Sequence, residues 1–222
     1  MREFAQFFAL SFSALFPLIN PIGSALVFLG MVGITRPEVY RTLARKIAIS
    51  TFLFLFAMDV AGAAVLKLFG ISLPVVQLAG GLVVAAMGWG LLNQKEAAGA
   101  SDPSLVQTGP AELQGKIFYP FTFPVTAGPG TLVVTLTLSA HASKGSIVDI
   151  GLDHLGLLAG MVLLCGSVWI AYAYAPKIAA KIPPSTAHGV LRVIAFVLLC
   201  IGVQIAWNGL SSLLASLGIR PH

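Results

Sequence analysis

The chain has 222 residues, 57% of them hydrophobic and only 9% charged, where an ordinary soluble domain carries about 25% charged residues. Its 13 Lys and Arg and 8 Asp and Glu cannot cover the surface of a soluble globule of this length, so the solvent is largely lipid. The net charge of +5 does not indicate nucleic acid, because the basic residues form no run longer than Arg45-Lys46 and have no aromatic groove residues among them.

At the start, Arg2-Glu3 precedes a long apolar stretch without a net-positive leader or a small-residue cleavage site, so this stretch reads as a first membrane span retained in the mature protein. Apolar runs of about 20 residues then recur. They extend from Phe4 to Ile34, Ile47 to Leu66, Ile71 to Leu92, Ile117 to Ala140, Ile147 to Ala175 and Val190 to Leu217. The expected fold is an all-α polytopic membrane protein of six transmembrane helices. Cys165 and Cys200 lie inside apolar runs, where thiols behave as small hydrophobes, and they form neither a disulfide framework nor a metal spacing.

The polar stretch from Gln94 to Lys116 divides the spans three and three. Residues 1–93 therefore read as a first three-helix repeat, 94–116 as a cytoplasmic linker and 117–222 as a second repeat. An odd number of spans per half makes related halves an inverted-topology repeat, an architecture common among secondary transporters. Aligning Gln77 with Arg192 sets Asn93 opposite Asn208. Arg36, Arg41, Arg45, Lys46, Lys95, Lys116, Lys177, Lys181 and Arg192 fall on one side, against Arg2, Lys67, Lys144 and Arg220 on the other. The positive-inside rule puts the richer side in the cytoplasm and both termini outside.

The first and fourth spans are each interrupted. Span one holds Phe16-Pro17-Leu18-Ile19-Asn20-Pro21-Ile22-Gly23-Ser24, and span four holds Pro124-Val125-Thr126-Ala127-Gly128-Pro129-Gly130-Thr131. Proline removes a helical N–H and clashes with the carbonyl four residues earlier. Asn20 is a favoured N-cap and Pro21 a favoured first helical residue, so a new half-helix should start there; Gly128-Pro129 repeats the pattern with a weaker cap. An ordinary proline kink, satisfied by neighbouring helices, is the plainer reading of a single proline. Two breaks in corresponding positions, each flanked by Gly and small polar residues, point to a midplane binding site.

With no Lys or Arg in either broken span, such a site would hold an anion on backbone N–H groups and the positive ends of helix dipoles. Carbonyls with Asn20, Ser24, Thr126 and Thr131 would hold an ammonium or hydroxyl, so a small zwitterion is the economical ligand. The expected binding residues are Asn20, Pro21, Gly23, Ser24, Thr126, Gly128, Pro129, Gly130 and Thr131, with neither cofactor nor metal.

The segments Asn20-Pro-Ile-Gly23, Phe69-Gly-Ile-Ser-Leu-Pro74, Leu78-Ala-Gly-Gly81 and Ala127-Gly-Pro-Gly130 resemble those of the MarC family of integral membrane proteins, over nearly the whole chain. The resemblance implies inverted repeats with discontinuous first helices. It also implies, from some relatives, transport of neutral amino acids such as glycine and alanine, within a broader grouping similar to the LysE-like exporters. The family often carries a basic residue where this chain has Gln77, so the resemblance implies that an interaction at the start of span three is absent here.

Asp59 lies near the middle of span two, where an ionised carboxylate costs several kcal/mol unless paired or hydrated. It reads either as a proton-coupling group or as a protonated carboxyl bonded within the bundle. Asp149, Asp153 and His154, in the first turns of span five, read as solvated groups favoured by a helix N-terminus, or as a cation-attracting cluster. Arg41 and Arg45, one turn apart, suit topology or a cytoplasmic mouth. Trp89, Trp169 and Trp207 read as lipid-facing or packing aromatics, and Asn93 and Asn208 as helix caps. Gly23-Ser24 and Gly166-Ser167 lack the setting of a serine nucleophile, and no phosphate loop or HExxH occurs, so no enzyme is expected.

The expected function is secondary transport of small neutral solutes, amino acids such as glycine or alanine, by alternating access in the cytoplasmic membrane. The partners are that solute and the lipid bilayer. The alternatives are an exporter of a different small-molecule class, or a non-transporting scaffold that packs through small residues such as Gly80, Gly81 and Gly88.

Overall fold

The computed structural model describes residues 2–33, 35–93, 110–142, 146–181 and 184–218, which form helices and connecting turns with no strand among them. In chain order these are α1 (Arg2–Ile19), α2 (Pro21–Val32), α3 (Pro37–Leu68), α4 (Leu73–Leu92), a short α5 (Pro110–Gly115), a wide-turned π-segment (Ile117–Thr126), α6 (Pro129–Ala142), α7 (Ile147–Ala173), a short α8 (Ala175–Lys181) and α9 (Pro184–Ser216). Residues 94–109 of the expected linker lie outside the described residues, as do Lys144 and Arg220.

Five helical stretches are long and apolar enough to cross a membrane, and the π-segment with α6 makes a sixth if that pair is one span. The two interruptions differ in form. Residues Phe4–Val32 remain a single span across the break at Asn20, whereas the π-segment and α6 meet at 73°. Span two starts earlier than its apolar run, at Pro37 rather than Ile47. Arg36 is extended, Pro37 is the first helical residue and Glu38 lies in the first turn, signals that favour helix whatever the hydropathy. The helix thus carries Arg41, Arg45 and Lys46 on its polar leading turns, with the Arg41 guanidinium 5.9 Å from the Tyr174 ring.

Large apolar side chains including Leu53, Val60 and Phe196 are exposed, as are Trp89, Trp169 and Trp207. This is surface that lipid, not water, can cover. The core lies where α2, α3, the π-segment and α7 meet. There the Phe28 ring stacks on Tyr172 at 4.6 Å and meets Phe121 edge-on at 5.3 Å.

Glycine sets how closely the spans approach, since hydrocarbon supplies no hydrophobic drive between helices and van der Waals packing takes over. A Cβ on Gly81 would fall 2.6 Å from the Gly202 carbonyl oxygen and against the Ala206 backbone, and one on Gly202 would fall 2.7 Å from the Gly81 oxygen and against Ala85. Gly88 lies in the same way on Ala195 and Leu199, and Gly209 on Pro74 and Leu78. These contacts run antiparallel along α4 and α9. They also map onto one another in a single register: Pro74 to Ala195, Leu78 to Leu199, Gly81 to Gly202, Ala85 to Ala206 and Gly88 to Gly209. By the same offset Gln77 falls opposite Leu198, a different alignment from the one that sets Gln77 opposite Arg192. Asn93 does cap α4, its Nδ2 donating to the Trp89 oxygen at 2.9 Å; Asn208 lies inside α9.

A second close seam joins α1 to α7. A Cβ on Gly156 would lie 2.6 Å from the Phe4 oxygen, and one on Gly160 would strike the Ser11 hydroxyl. Here the two helices run parallel.

Candidate functional site

At the first break Asn20 adopts a left-handed conformation (φ 45°, ψ 69°), which asparagine tolerates better than most residues with a Cβ. Its N–H donates to the Phe16 oxygen at 2.8 Å to close α1, and its carbonyl accepts from the Ser24 N–H at 2.9 Å to open α2. The Asn20 Oδ1 accepts from the Gly23 N–H at 3.1 Å. The expected cap is formed, with Pro21 as the first residue of α2. A side chain on Gly23 would collide with that capping amide.

The fourth span enters its break through a repeat of aromatic-Pro-x-Thr, Tyr119-Pro-Phe-Thr122 followed by Phe123-Pro-Val-Thr126. Tyr119 and Phe123 are extended, as residues preceding proline prefer to be. The turns widen to five-residue spacing: Phe121 N–H donates to Lys116 O at 3.2 Å and Ala127 N–H to Thr122 O at 2.8 Å. The threonines bond at the same spacing, Thr122 Oγ1 to the Ile117 oxygen at 2.8 Å and Thr126 Oγ1 to the Phe121 oxygen at 2.6 Å. These hydroxyls satisfy carbonyls in a stretch where Pro120 and Pro124 supply no N–H. Gly128 then opens α6, its carbonyl accepting from Thr131 at 3.0 Å and Leu132 at 3.3 Å.

The breaks adjoin. A Cβ on Gly130 would lie 3.3 Å from the Leu18 side chain and against Val84, so the second restart packs beside the end of α1 and the middle of α4. Tyr172 of α7 lies against both: its hydroxyl hydrogen-bonds Thr126 Oγ1 at 2.8 Å, and its ring stacks on Phe28 of α2 at 4.6 Å. Ser24, Thr126, Thr131 and Tyr172 are all buried. The Ser24 hydroxyl donates to the Asn20 carbonyl at 2.9 Å, so Ser24 and Thr126, expected to orient a ligand amine, commit their protons to the backbone of the breaks. They retain acceptor capacity. Tyr172, far away in sequence, carries no local signal of this role. Tyr172→Phe is expected to destabilise the protein by about 1–2 kcal/mol, the cost of stripping a buried hydroxyl from its partner, measured by thermal unfolding in detergent; stability equal to the parent would show that the bridge holds nothing.

Asp59 is not in the middle of its helix but in the last third of α3, where it is buried. His154 Nδ1 stands 3.1 Å from each carboxylate oxygen, and Ser139 Oγ donates to the Asp59 backbone oxygen at 2.9 Å. The expected cluster at the start of span five therefore divides into three roles. Asp149 forms a capping box with Ser146, as an N-terminal acid should. Asp153 is buried rather than solvated, and His154 belongs to Asp59. The signal for this pair is depth. Asp59 lies about 13 Å from the end of α3 and His154 about 10 Å from the start of α7, taking 1.5 Å per residue.

The structure thus defines a polytopic helical membrane protein whose two interrupted spans meet at a common, buried polar junction. The chain belongs to the MarC family of integral membrane proteins, whose match covers residues 5–214. It is 28% identical over 204 residues to the UPF0056 membrane protein YvbG of Bacillus subtilis, covering 91% of this chain and 93% of YvbG. It is also 28% identical over 218 residues to the UPF0056 inner membrane protein MarC of Citrobacter koseri, covering 94% and 96%. With MarC of Escherichia coli K12 it shares 25% over 220 residues, covering 95% and 96%. No solved structure matches the chain.

Proposed function

We propose that this protein is a secondary transporter of small net-neutral solutes, with amino acids such as glycine and alanine as the first candidates, working by alternating access at the junction of its two broken spans. The observation that carries this reading is the meeting of the two restarts, Gly130 beside Leu18, with Tyr172 bonded to Thr126 and stacked on Phe28 of α2. A kink needs no cap, and two unrelated kinks need no common partner. The N–H groups of Ile22 and Gly130 in the first turns of α2 and α6 are not used by the caps, and would serve a carboxylate. The reciprocal glycine register of α4 and α9 supports an inverted 3 + 3 repeat, because a two-fold axis in the membrane plane sets equivalent helices antiparallel.

In this reading both termini face outward, the cytoplasmic membrane houses the protein, and an ion or solute gradient drives it, since the chain has no nucleotide-binding motif. The chain catalyses no covalent chemistry. A proton shared between Asp59 and His154 is the coupling element. The scaffold alternative loses its docking face, because Gly80 packs on Val133 and Gly81 and Gly88 pack on α9 within the chain.

Flux of labelled glycine and alanine into proteoliposomes tests the proposal. Asn20→Ala loses the cap and forces alanine to a positive φ; it should cost about 2 kcal/mol and reduce flux at least tenfold. Asn20→Gly, which relieves the backbone but not the cap, should fall between that variant and the parent. Unchanged flux in Asn20→Ala would remove the junction from the transport path, and absence of flux in the parent for every small net-neutral solute would overturn transport itself.

A further inference from the structure

About 10 Å from the level of the breaks, a cavity of 320 Å³ opens between α1, α4, α6 and α9. The distance follows from seven residues of helix at 1.5 Å each, and the same interval separates Ser13 from Asn20, Thr137 from Gly130, and Gln77 from Val84, which abuts Gly130. Three elements therefore place the cavity on the same side of the junction. Its polar lining is Ser13, Gln77, Thr137 and Asn208; the remainder is aliphatic, and no charged residue lines it.

The hydrogen bonds leave a defined chemistry open. Gln77, buried, donates through Nε2 to Thr137 Oγ1 at 3.3 Å, and Thr137 Oγ1 donates to the Val133 oxygen at 2.8 Å. Asn208 Oδ1 accepts from Gln204 Nε2 at 2.9 Å. Among the described residues, Gln77 Oε1 accepts no hydrogen bond and Asn208 Nδ2 donates none. The cavity thus offers one amide carbonyl and one amide N–H pair from opposite halves of the chain, with apolar walls around them. Pockets that recognise small molecules are built in this way, from apolar walls and a few convergent polar groups. A net charge would enter without a partner and incur the desolvation cost of a low-dielectric site.

We infer that this cavity is a vestibule subsite for a small net-neutral solute carrying both a donor and an acceptor, bound by Gln77 Oε1 and Asn208 Nδ2 before it reaches the breaks. The inference rests on the transport reading for its place in a pathway, but binding itself can be read without flux.

The test introduces Ser13→Cys into a Cys165→Ala/Cys200→Ala background in proteoliposomes. A membrane-impermeant thiosulfonate is then applied with and without glycine, alanine, lysine or glutamate. The introduced thiol should react from one face of the membrane only, and glycine or alanine should slow the reaction at least fivefold while lysine and glutamate leave it unchanged. Adding Gln77→Leu should leave the unprotected reaction intact, which reports a folded cavity, and raise the half-protecting concentration about tenfold. Protection without flux would keep the subsite and overturn the transport reading. Flux without protection would overturn the subsite alone, as an acyl chain filling the cavity would produce. A thiol that does not react, or that lysine and glutamate protect equally, overturns the subsite as well.

Discussion

Gly81→Val should separate α4 from α9 and cost about 3 kcal/mol or more, at the upper end of overpacking penalties, because the added carbons meet backbone rather than movable side chain. The nearest obstacles are the Gly202 oxygen at 2.6 Å and the Ala206 Cα at 2.7 Å, and neither can yield without parting the helices. Gly202→Val should cause the same loss, since its obstacles are the counterparts, the Gly81 oxygen and Ala85. Gly90→Val on the same helix as Gly81 meets nothing within 4 Å and should stay within about 0.5 kcal/mol of the parent, as substitutions at open positions do. Thermal unfolding in detergent, read with the monodisperse fraction, compares the three. If Gly81→Val is as stable as Gly90→Val, the close antiparallel pair is not what holds these spans together.

His154→Ala should be the other severe change, costing about 3 kcal/mol by leaving the buried Asp59 carboxyl without its imidazole partner. Asp59→Asn should cost less, because an amide can still hydrogen-bond the imidazole, which is 26% exposed. A double variant with leucine at both positions should recover much of the loss, since an apolar pair of suitable volume avoids desolvating two polar groups. A double-mutant cycle on unfolding free energy measures the coupling, and additivity of the single changes would dismiss the pair. For transport, both Asp59→Asn and His154→Ala should abolish acceleration by a pH gradient. Asp59→Asn should retain solute exchange if the pair couples protons rather than binding solute.

Much of the first break is legible in the sequence, because its causes are local. Asn20 can cap within three residues of itself, and Pro21 can only begin a helix or disrupt one. The apolar runs locate the membrane-crossing helices for the same reason: hydrophobic length is a property of consecutive residues. Where helix and hydropathy part company, the apolar run misplaces the boundary, setting the start of span two at Ile47 instead of Pro37. The π-segment is half legible, for Thr122 and Thr126 each follow a proline by two residues. That such hydroxyls bond back at five-residue spacing depends on how much the prolines widen the turn.

The register of α4 on α9 is out of reach of the sequence, because it is set where a Cβ is missing on facing helices, and nothing local says which glycines meet. The Asp59 and His154 pairing depends on two spans presenting the right faces at one depth, and the Tyr172 bridge on three elements converging from opposite halves. Composition, and hydrogen-bond needs met within a few residues of chain, suffice to place the protein in lipid, to number its spans at about six, and to mark which two are interrupted and where they resume. Neither could reveal that the two interruptions share a junction, that the buried Asp59 has an imidazole partner, or that glycines rather than polar residues align α4 with α9. Those outcomes arise from packing between spans far apart in sequence, where shape and depth select the neighbours.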